Sequence, residues 1–434
     1  MIYGIDLGTT NSLIGVNGNL ISSLVPSVAN VMTNEAGDSE YENPDALRSF
    51  KTGMSMGDEG KMSRIGSSIV LAKLKALAGV KGMMQAIITV PADFDDNQRK
   101  ATIKAAEDVG IEVVQLVNEP TAAAIYISGD TRALSVVFDL GGGTFDVSII
   151  DNRFGIYDVQ ASYGDSHCGG DDLDKAIMQF FIDKLGILTY KLNKAERLEL
   201  LHYCTRLKVQ MCTERKTIKC DFSKFGITRT VNFTEDQYIS LMKQTFGKCL
   251  EMTKRIVNKE IEFGSNYNLC FVGGSSKSPQ LKEWITKELG NPNVPTNFNP
   301  DTVVAQGAVM FAGMVESGTV DSMVVDITKA ISVVQNDGIC RLMIEDNSRI
   351  PCSTTELFTV SRETNYIEIE LAQGSAYLVK DNSVIGTLRY DFDHTAIPNV
   401  DYVFLTVTVV KGGIIKFSCR ELSKEPKEVL ISMK

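Results

Sequence analysis

Two copies of one pattern constrain this chain more than any other feature. Residues 134–138 are a short apolar run that reads as a buried strand. It ends at Asp139-Leu140, turns through Gly141, Gly142 and Gly143, and resumes from Thr144 as a second strand over 145–150. The chain opens the same way, with Tyr3-Gly4-Ile5-Asp6-Leu7 running into Gly8-Thr9-Thr10-Asn11-Ser12. Consecutive glycines permit φ > 0 and let a ligand lie against the backbone. Successive N–H groups in such a turn form a nest for an anion. Asp139 ends its strand beside that nest, where a carboxylate attracts Mg²⁺ through waters. One copy alone is equally a glycine-rich hairpin with two solvated aspartates. Two copies predict two similar half-domains facing one phosphate chain. Neither copy has the GxxxxGKS/T form, and no GxGxxG string occurs.

At 434 residues there is room for two or more domains. A net charge of −10 argues against nucleic acid and anionic membranes as partners. No apolar run approaches the length of a membrane span and no basic-plus-apolar leader is present, so a cytoplasmic location is expected. Nine scattered cysteines without a CxxC pair read as reduced thiols, mostly packing. Three histidines leave little material for a zinc site or a histidine triad.

In chain order, residues 17–50 are polar and rich in turn signals, a small loop-rich lobe. Lys51 reads locally as a solvated surface lysine. Residues 86–90 and 113–117 are buried-strand runs, and Asp95 or Asp96 caps the helix between them. Asn118 is a cap candidate, with Pro120 in the first turn of the next helix. Glu119 then sits beyond a strand's carboxyl end, either at a ligand edge or simply at the positive end of a helix dipole. The Gly164–Asp174 string, with Gly169 and Gly170, and the Gly273-Gly274-Ser275 string mark two more close backbone approaches; an acidic helix-capping loop is the plainer account of the first. Thr234–Gln237 fits a capping box. After Gly318 helical periodicity fades and short strands imply a small β-sandwich. The apolar run through Met323-Val324-Val325-Asp326 is either a first strand or a linker that docks on its neighbour.

These strings, with Val90-Pro91-Ala92 and Asn118-Glu119-Pro120-Thr121-Ala122-Ala123-Ala124, occur in the order found in DnaK-type (70-kDa heat-shock) chaperones, and the chain resembles that family over nearly its whole length. The resemblance implies an α/β actin-like ATPase domain of two similar half-domains over 1–317. A linker over 318–326 and a small all-β sandwich over 327–434, gripping extended or unfolded peptide segments, would follow. It implies ATP or ADP with Mg²⁺, K⁺ as a further ion, and a J-domain co-chaperone and a nucleotide-exchange factor as partners. Asp6 and Asp139 look like the carboxylates that hold hydrated Mg²⁺. Gly8, Thr9, Thr10, Asn11, Gly141, Gly142, Gly143, Gly169 and Gly170 match the phosphate cradle. Lys51 and Glu119 align with the pair that positions the attacking water, and Thr144 and Asp146 with the γ-phosphate side. Lys208, Gly273, Gly274, Ser275, Lys277 and Asp301 match the nucleoside end. Pro91 and Arg99 match residues that relay nucleotide state between domains.

There are departures. The family's adenosine helix carries Glu, Lys, Arg and Ser; here those positions read Thr205, Lys208, Val209 and Cys212, and only the lysine is kept. The adenine-stacking arginine reads as Lys277, a poorer stacking group. The expectation is therefore a chaperone with weak ATP affinity. Because the chain stops at Lys434 after the β-region, the expected form has no helical lid and exchanges peptide quickly. Ile367 and Ile369, with Val360 or Ser361, are candidates for a peptide pocket or equally for sandwich core. A nucleotide-regulated adaptor or sensor with weak ATPase activity is the alternative. An actin-like sugar kinase or filament protein fits the Asn118–Ala124 string and the β-region poorly.

Overall fold

The structure, a computed structural model, describes residues 1–129, 131–187, 192–227, 230–319, 324–359, 366–391, 402–421, 425–429 and 431–432. Each copy of the repeated pattern builds the same strand arrangement. In the first sheet β1 (Tyr3–Leu7) turns into antiparallel β2 (Asn11–Val16), which turns into β3 (Asn19–Leu20). β4 (Met84–Val90) lies parallel to β1 on its other side, followed by parallel β5 (Ile111–Asn118). In the second sheet β6 (Ala133–Leu140), β7 (Phe145–Arg153) and β8 (Ile156–Asp165) repeat the antiparallel run, and β9 (Asn268–Val272) lies parallel to β6. β1 and β6 are therefore equivalent, and so are Asp6 and Asp139, each one residue from its strand's end.

The helices are α1 (Lys61–Leu77), α2 (Asp96–Glu107), α3 (Glu119–Ser128), α4 (Gly170–Leu185), α5 (Lys194–Glu214), α6 (Glu235–Glu260), α7 (Pro279–Glu288) and α8 (Val303–Glu316). Capping chemistry sets several starts. The Asp95 carboxylate accepts from the Gln98 amide at 2.9 Å, and Thr234 Oγ1 accepts from the Gln237 amide at 3.3 Å. Asn118 precedes α3 but makes no side-chain cap, contrary to expectation, because its amide is engaged elsewhere. Among the described residues no helix is long and apolar enough to cross a membrane, and all nine cysteines are free thiols.

α3 and α8 pack on each other between the two sheets. Ala122, Ala123 and Ala124 present a low surface that lets α8 come close. A Cβ on Gly307 would overlap the Ala122 carbonyl oxygen. Apolar faces on the outer sides of the sheets are covered by separate clusters, one with α1 and α2, the other with α4 to α7.

The second sheet does not stop at β8. β10 (Val324–Thr328) pairs parallel to β8 through Tyr157–Val324 and Asp158–Val325, and antiparallel to Ser348–Ile350. The apolar run thus docks on the neighbouring half-domain as a strand; Met323 lies outside the described residues. Two further antiparallel sheets follow. One holds Ile331–Val334, Cys340–Ile344, Tyr366–Gln373, Ser383–Asp391 and Ile431–Ser432; the other holds Cys352–Thr359, Tyr402–Val409, Ile415–Glu421 and Lys427–Glu428. They enclose their own core, formed by Ile331, Leu371, Leu388, Leu405, Val407 and Phe417 among others. Ile369 is part of that core and Ile367 packs against it, while Val360 and Ser361 lie outside the described residues.

Gly307→Ala should force α3 and α8 apart and cost about 1–3 kcal/mol through overpacking. A urea titration followed by far-UV circular dichroism reads this as a lower midpoint. An unchanged midpoint would show that the two helices have slack at this crossing.

Candidate nucleotide cleft

The two glycine turns face each other across the base of a cleft of about 440 Å³. They touch: a Cβ on Gly142 would overlap the Thr10 hydroxyl, so a side chain there would wedge the half-domains apart. The second turn is held by its own backbone, with the Gly141 amide donating to the Thr144 carbonyl at 3.0 Å. The start of α4 clamps it from behind. The Gly170 and Asp171 amides donate to the Gly141 and Gly142 carbonyls at 3.0 and 2.8 Å, and Ser275 Oγ donates to the Gly141 carbonyl at 2.7 Å. The local turn, the α4 start and the Gly273–Ser275 string thus converge on one backbone surface.

Lys51 is not a solvated lysine. It is 2% exposed and its ammonium donates to Glu119, itself 8% exposed. Truncating either partner of such a pair strands a buried charge, at a cost of about 3–5 kcal/mol. Around the pair stand Asp6, Asp139 and Asp146. Burial and then Glu119 push the Asp6 carboxyl up to about 7, against the opposing effects of Lys51 and of the Thr89 hydroxyl, which donates to it at 2.9 Å. Burial, then Glu119, Asp146 and Asp6, hold Asp139 well above the ordinary carboxylate range. Asp146 is raised for similar reasons, burial first and Glu119 second. Crowded carboxylates facing one ammonium make a strong cation site. Among the described residues no three His, Cys, Asp or Glu side chains converge as a metal cage. Mg²⁺ keeps several waters and takes one or two carboxylates together with phosphate oxygens. Asp6 and Asp139 fit that donor set.

Most of the residues singled out in the sequence come together here. Asp6, Gly8, Thr9, Thr10, Asn11, Glu119, Asp139, Gly141, Gly142, Thr144, Gly170, Lys208, Gly273, Gly274, Ser275 and Asp301 line the cleft. Lys51, Gly143, Asp146 and Gly169 are not on its lining. The Asp146 carboxylate accepts from the Asp93 amide at 3.0 Å. Lys277 is also off the lining, paired with Asp301 at 2.7 Å. Cys212 does not face the cleft either; its thiol contacts the Tyr238 hydroxyl at 3.2 Å. Thr205 and Val209 do line it, but the Thr205 hydroxyl donates to the Leu201 carbonyl at 3.1 Å.

Sequence reasoning missed the contacts that span the cleft. Tyr41 stacks on His202 of α5 with ring centroids 4.9 Å apart and planes at 15°. Asp45 pairs with Lys194 at 2.7 Å, and Ser49 donates to Asp171. The short lobe between residues 17 and 50 is therefore tied to α4 and α5. No local signal marks these partners, because they lie far apart in the chain.

Asn118, next to Glu119, points the other way. Its amide donates to both Asp326 carboxylate oxygens at 3.1 and 3.0 Å, and its carbonyl oxygen accepts from Arg99 at 2.8 Å. Arg99 also donates to the Gly412 carbonyl at 3.1 Å. Asp96 accepts from the Ile415 amide at 2.8 Å, and its own amide donates to Gln373 at 3.0 Å. One strand-to-helix junction therefore touches the cleft on one side and the β-sheets on the other.

A family model described as Hsp70 protein matches residues 46–434. The chaperone protein dnaK of Trieres chinensis is 32% identical over 354 residues, which span 78% of this chain and 57% of the relative. The chaperone protein DnaK of Mycoplasmopsis synoviae (strain 53) is 28% identical over 469 residues, 99% of this chain and 78% of the relative. That of Ureaplasma urealyticum serovar 10 is 29% identical over 476 residues, 100% and 78% respectively. The chain thus spans little more than half of the first relative's length and about four fifths of the other two.

The raised carboxyl of Asp6 sets a pH dependence. Its ionised form, the one that takes a cation, is lost as pH falls through about 7. Mg²⁺ uptake in the presence of a nucleoside triphosphate should therefore release protons and weaken as pH falls, by up to about tenfold per unit for each proton released. Titration calorimetry in buffers of different ionisation heat measures both quantities. An affinity flat across neutral pH would mean that these carboxylates do not take the ion.

Proposed function

The chain belongs to the Hsp70 family, and from that premise we propose that its cleft binds and hydrolyses ATP and that its β-sheets hold extended peptide segments under control of that reaction. The observation that carries this reading is the buried Lys51–Glu119 pair beside two apposed glycine turns. Phosphoryl transfer asks a protein chiefly for positioning and charge stabilisation. The backbone N–H groups around Gly8–Thr10 and Gly141–Thr144 hold the phosphates. Asp6 and Asp139 would hold Mg²⁺, which when bound would neutralise charge on the phosphates. Lys51 faces the phosphate charge and fixes the Glu119 carboxylate, and Glu119 orients the attacking water and accepts its proton. Thr144 offers its hydroxyl on the γ-phosphate side. Lys208, Ser275 and the Gly273-Gly274 backbone serve the nucleoside end.

The division of labour follows the sheets: residues 1–317 for nucleotide, 327–434 for peptide, with the segment between them as linker. The Arg99–Asn118–Asp326 bonds support a route between the two. A shift of Glu119 on nucleotide binding or hydrolysis moves the start of α3, and with it the bonds that hold β10. A J-domain co-chaperone and a nucleotide-exchange factor are the partner classes that such a cycle calls for.

A second reading, a nucleotide-regulated adaptor with weak hydrolysis, is favoured by one feature. At the nucleoside end Lys277 is committed to Asp301, Cys212 to Tyr238 and the Thr205 hydroxyl to the Leu201 carbonyl. Those three groups are spent on neighbours rather than turned to a base.

Glu119→Gln keeps the size of the side chain and removes the base. Single-turnover hydrolysis should fall by about 10²-fold or more, with ATP still bound. An unchanged rate would end the role assigned to Glu119. ATP should also accelerate release of a fluorescent unfolded peptide; tight, ATP-sensitive binding to one folded protein with no affinity for such peptides would favour the adaptor reading.

A further inference from the structure

Two thiols meet beside the place where the phosphate turn is held. Cys168 ends the loop that leads into α4, immediately before Gly169 and Gly170, and its Sγ lies 3.3 Å from Sγ of Cys249 on α6. Among the described residues these are the two of the nine free cysteines whose sulfur atoms are in contact. Cys168 is 8% exposed and Cys249 1% exposed, both inside the core that α4 and α6 share. Lys248, the residue before Cys249, pairs with Asp165 of the same loop at 2.6 Å, so the loop is tied to this turn of α6 at a second point.

Packing alone accounts for the burial but not for the asymmetry of the pair. The Cys249 S–H donates to the Cys168 sulfur, which holds the Cys168 thiol below its ordinary range against the opposing effect of burial. The same bond, and then burial, pushes Cys249 up. One sulfur carries the thiolate character and the other keeps its proton, as a nucleophilic thiol does beside a resolving one. A disulfide needs its sulfurs about 2.0 Å apart, so the pair is roughly 1.3 Å short of bonding.

We infer that Cys168 and Cys249 are a modification site: hydrogen peroxide converts them to a reversible disulfide, and that bond loosens the hold on the phosphate turn. The Cys168 thiolate attacks one peroxide oxygen, the O–O bond breaks, and the leaving hydroxide takes a proton to give water. The Cys249 sulfur then attacks the Cys168 sulfenic acid. The S–O bond breaks as the S–S bond forms, and the oxygen leaves as a second water with the Cys249 proton. Two thiols lose two electrons between them and one peroxide gains them.

The link to the turn is steric. α6 is a 26-residue helix fixed in the core, so closure to bonding distance falls on the loop. A Cβ on Gly169 would overlap the Gly142 carbonyl and the Gly143 amide, which leaves no slack between loop and turn. Drawing Cys168 toward α6 strains the bonds from the Gly170 and Asp171 amides to the Gly141 and Gly142 carbonyls, and with them the N–H groups of the turn. The disulfide is independent of the nucleotide reading; its effect on phosphate binding rests on that reading.

The reduced full chain, treated with hydrogen peroxide, alkylated and peptide-mapped without reductant, tests the bond. A cross-linked pair of peptides holding Cys168 and Cys249, two hydrogens lighter than the reduced pair and separated by dithiothreitol, is expected. Titration with Mg²⁺ and ATP should find the oxidised chain at least about tenfold weaker, as for loss of a hydrogen bond to a charged group. Dithiothreitol should restore the affinity, and peroxide should leave it unchanged in Cys249→Ala. Recovery of Cys168 and Cys249 on separate peptides, or a cross-link between other cysteines, would overturn the inference. A Cys168–Cys249 bond with unaltered ATP affinity would overturn its link to the phosphate turn. If neither the reduced nor the oxidised chain binds ATP, the nucleotide reading falls, while the peptide map still decides the bond. Should Cys249→Ala not fold, the map and titration of the unmutated chain decide alone.

Discussion

Asp6, Glu119, Asp139 and Asp146 share one neighbourhood with the single ammonium of Lys51. Three of the four carboxyl groups are held above their ordinary range by burial and by one another. Such a concentration of like charge in a poorly solvated place opposes folding unless something else holds the walls together. The walls are held by α3 and α8, packed close through small residues between two equivalent sheets. The stress of the apposed carboxylates is therefore borne by the core, and a cation bound there would relieve it.

The same frame explains how a ligand in the cleft can matter elsewhere. Asn118 and Glu119 are consecutive, at the point where β5 ends and α3 begins. One side chain faces the cleft and its neighbour holds Asp326 and Arg99. The segment carrying Asp326 is a strand added to the edge of the second sheet, and its partner on the far side comes from the β-region. Hydrogen bonding thus runs from the residue next to Glu119 through Asp326 of β10 to the β-region. The Lys329–Asp93 and Arg349–Asp158 ion pairs add to the contact between the two parts.

Much of this was legible beforehand, and what was legible has a common character. The paired turns, the capping of α2 and α6 and the change of texture after Gly318 are all written in residues a few positions apart. The misreadings also share a character. Lys51 looked solvated because nothing near it in the chain is acidic and buried; Glu119, 68 positions further on, reaches it only when the first half-domain folds. Asn118 looked like a cap because Asn before Pro at a helix start usually is one, yet Arg99 and Asp326 take its amide. Lys277 and Cys212 match the nucleoside end by motif order, and the structure pairs them with Asp301, itself on the cleft lining, and with Tyr238.

The sequence by itself determined that two strand–aspartate–glycine turns exist, that their backbones can cradle anions, and that a β-rich region follows an α/β one. Those properties depend on φ/ψ preference and on hydrophobic period, which act over a few residues. Only the tertiary structure decided which charges meet and which polar groups are spent on neighbours. Those outcomes depend on long-range packing of two half-domains and a docked strand, and a pairing between residues far apart leaves no periodic trace in either of them.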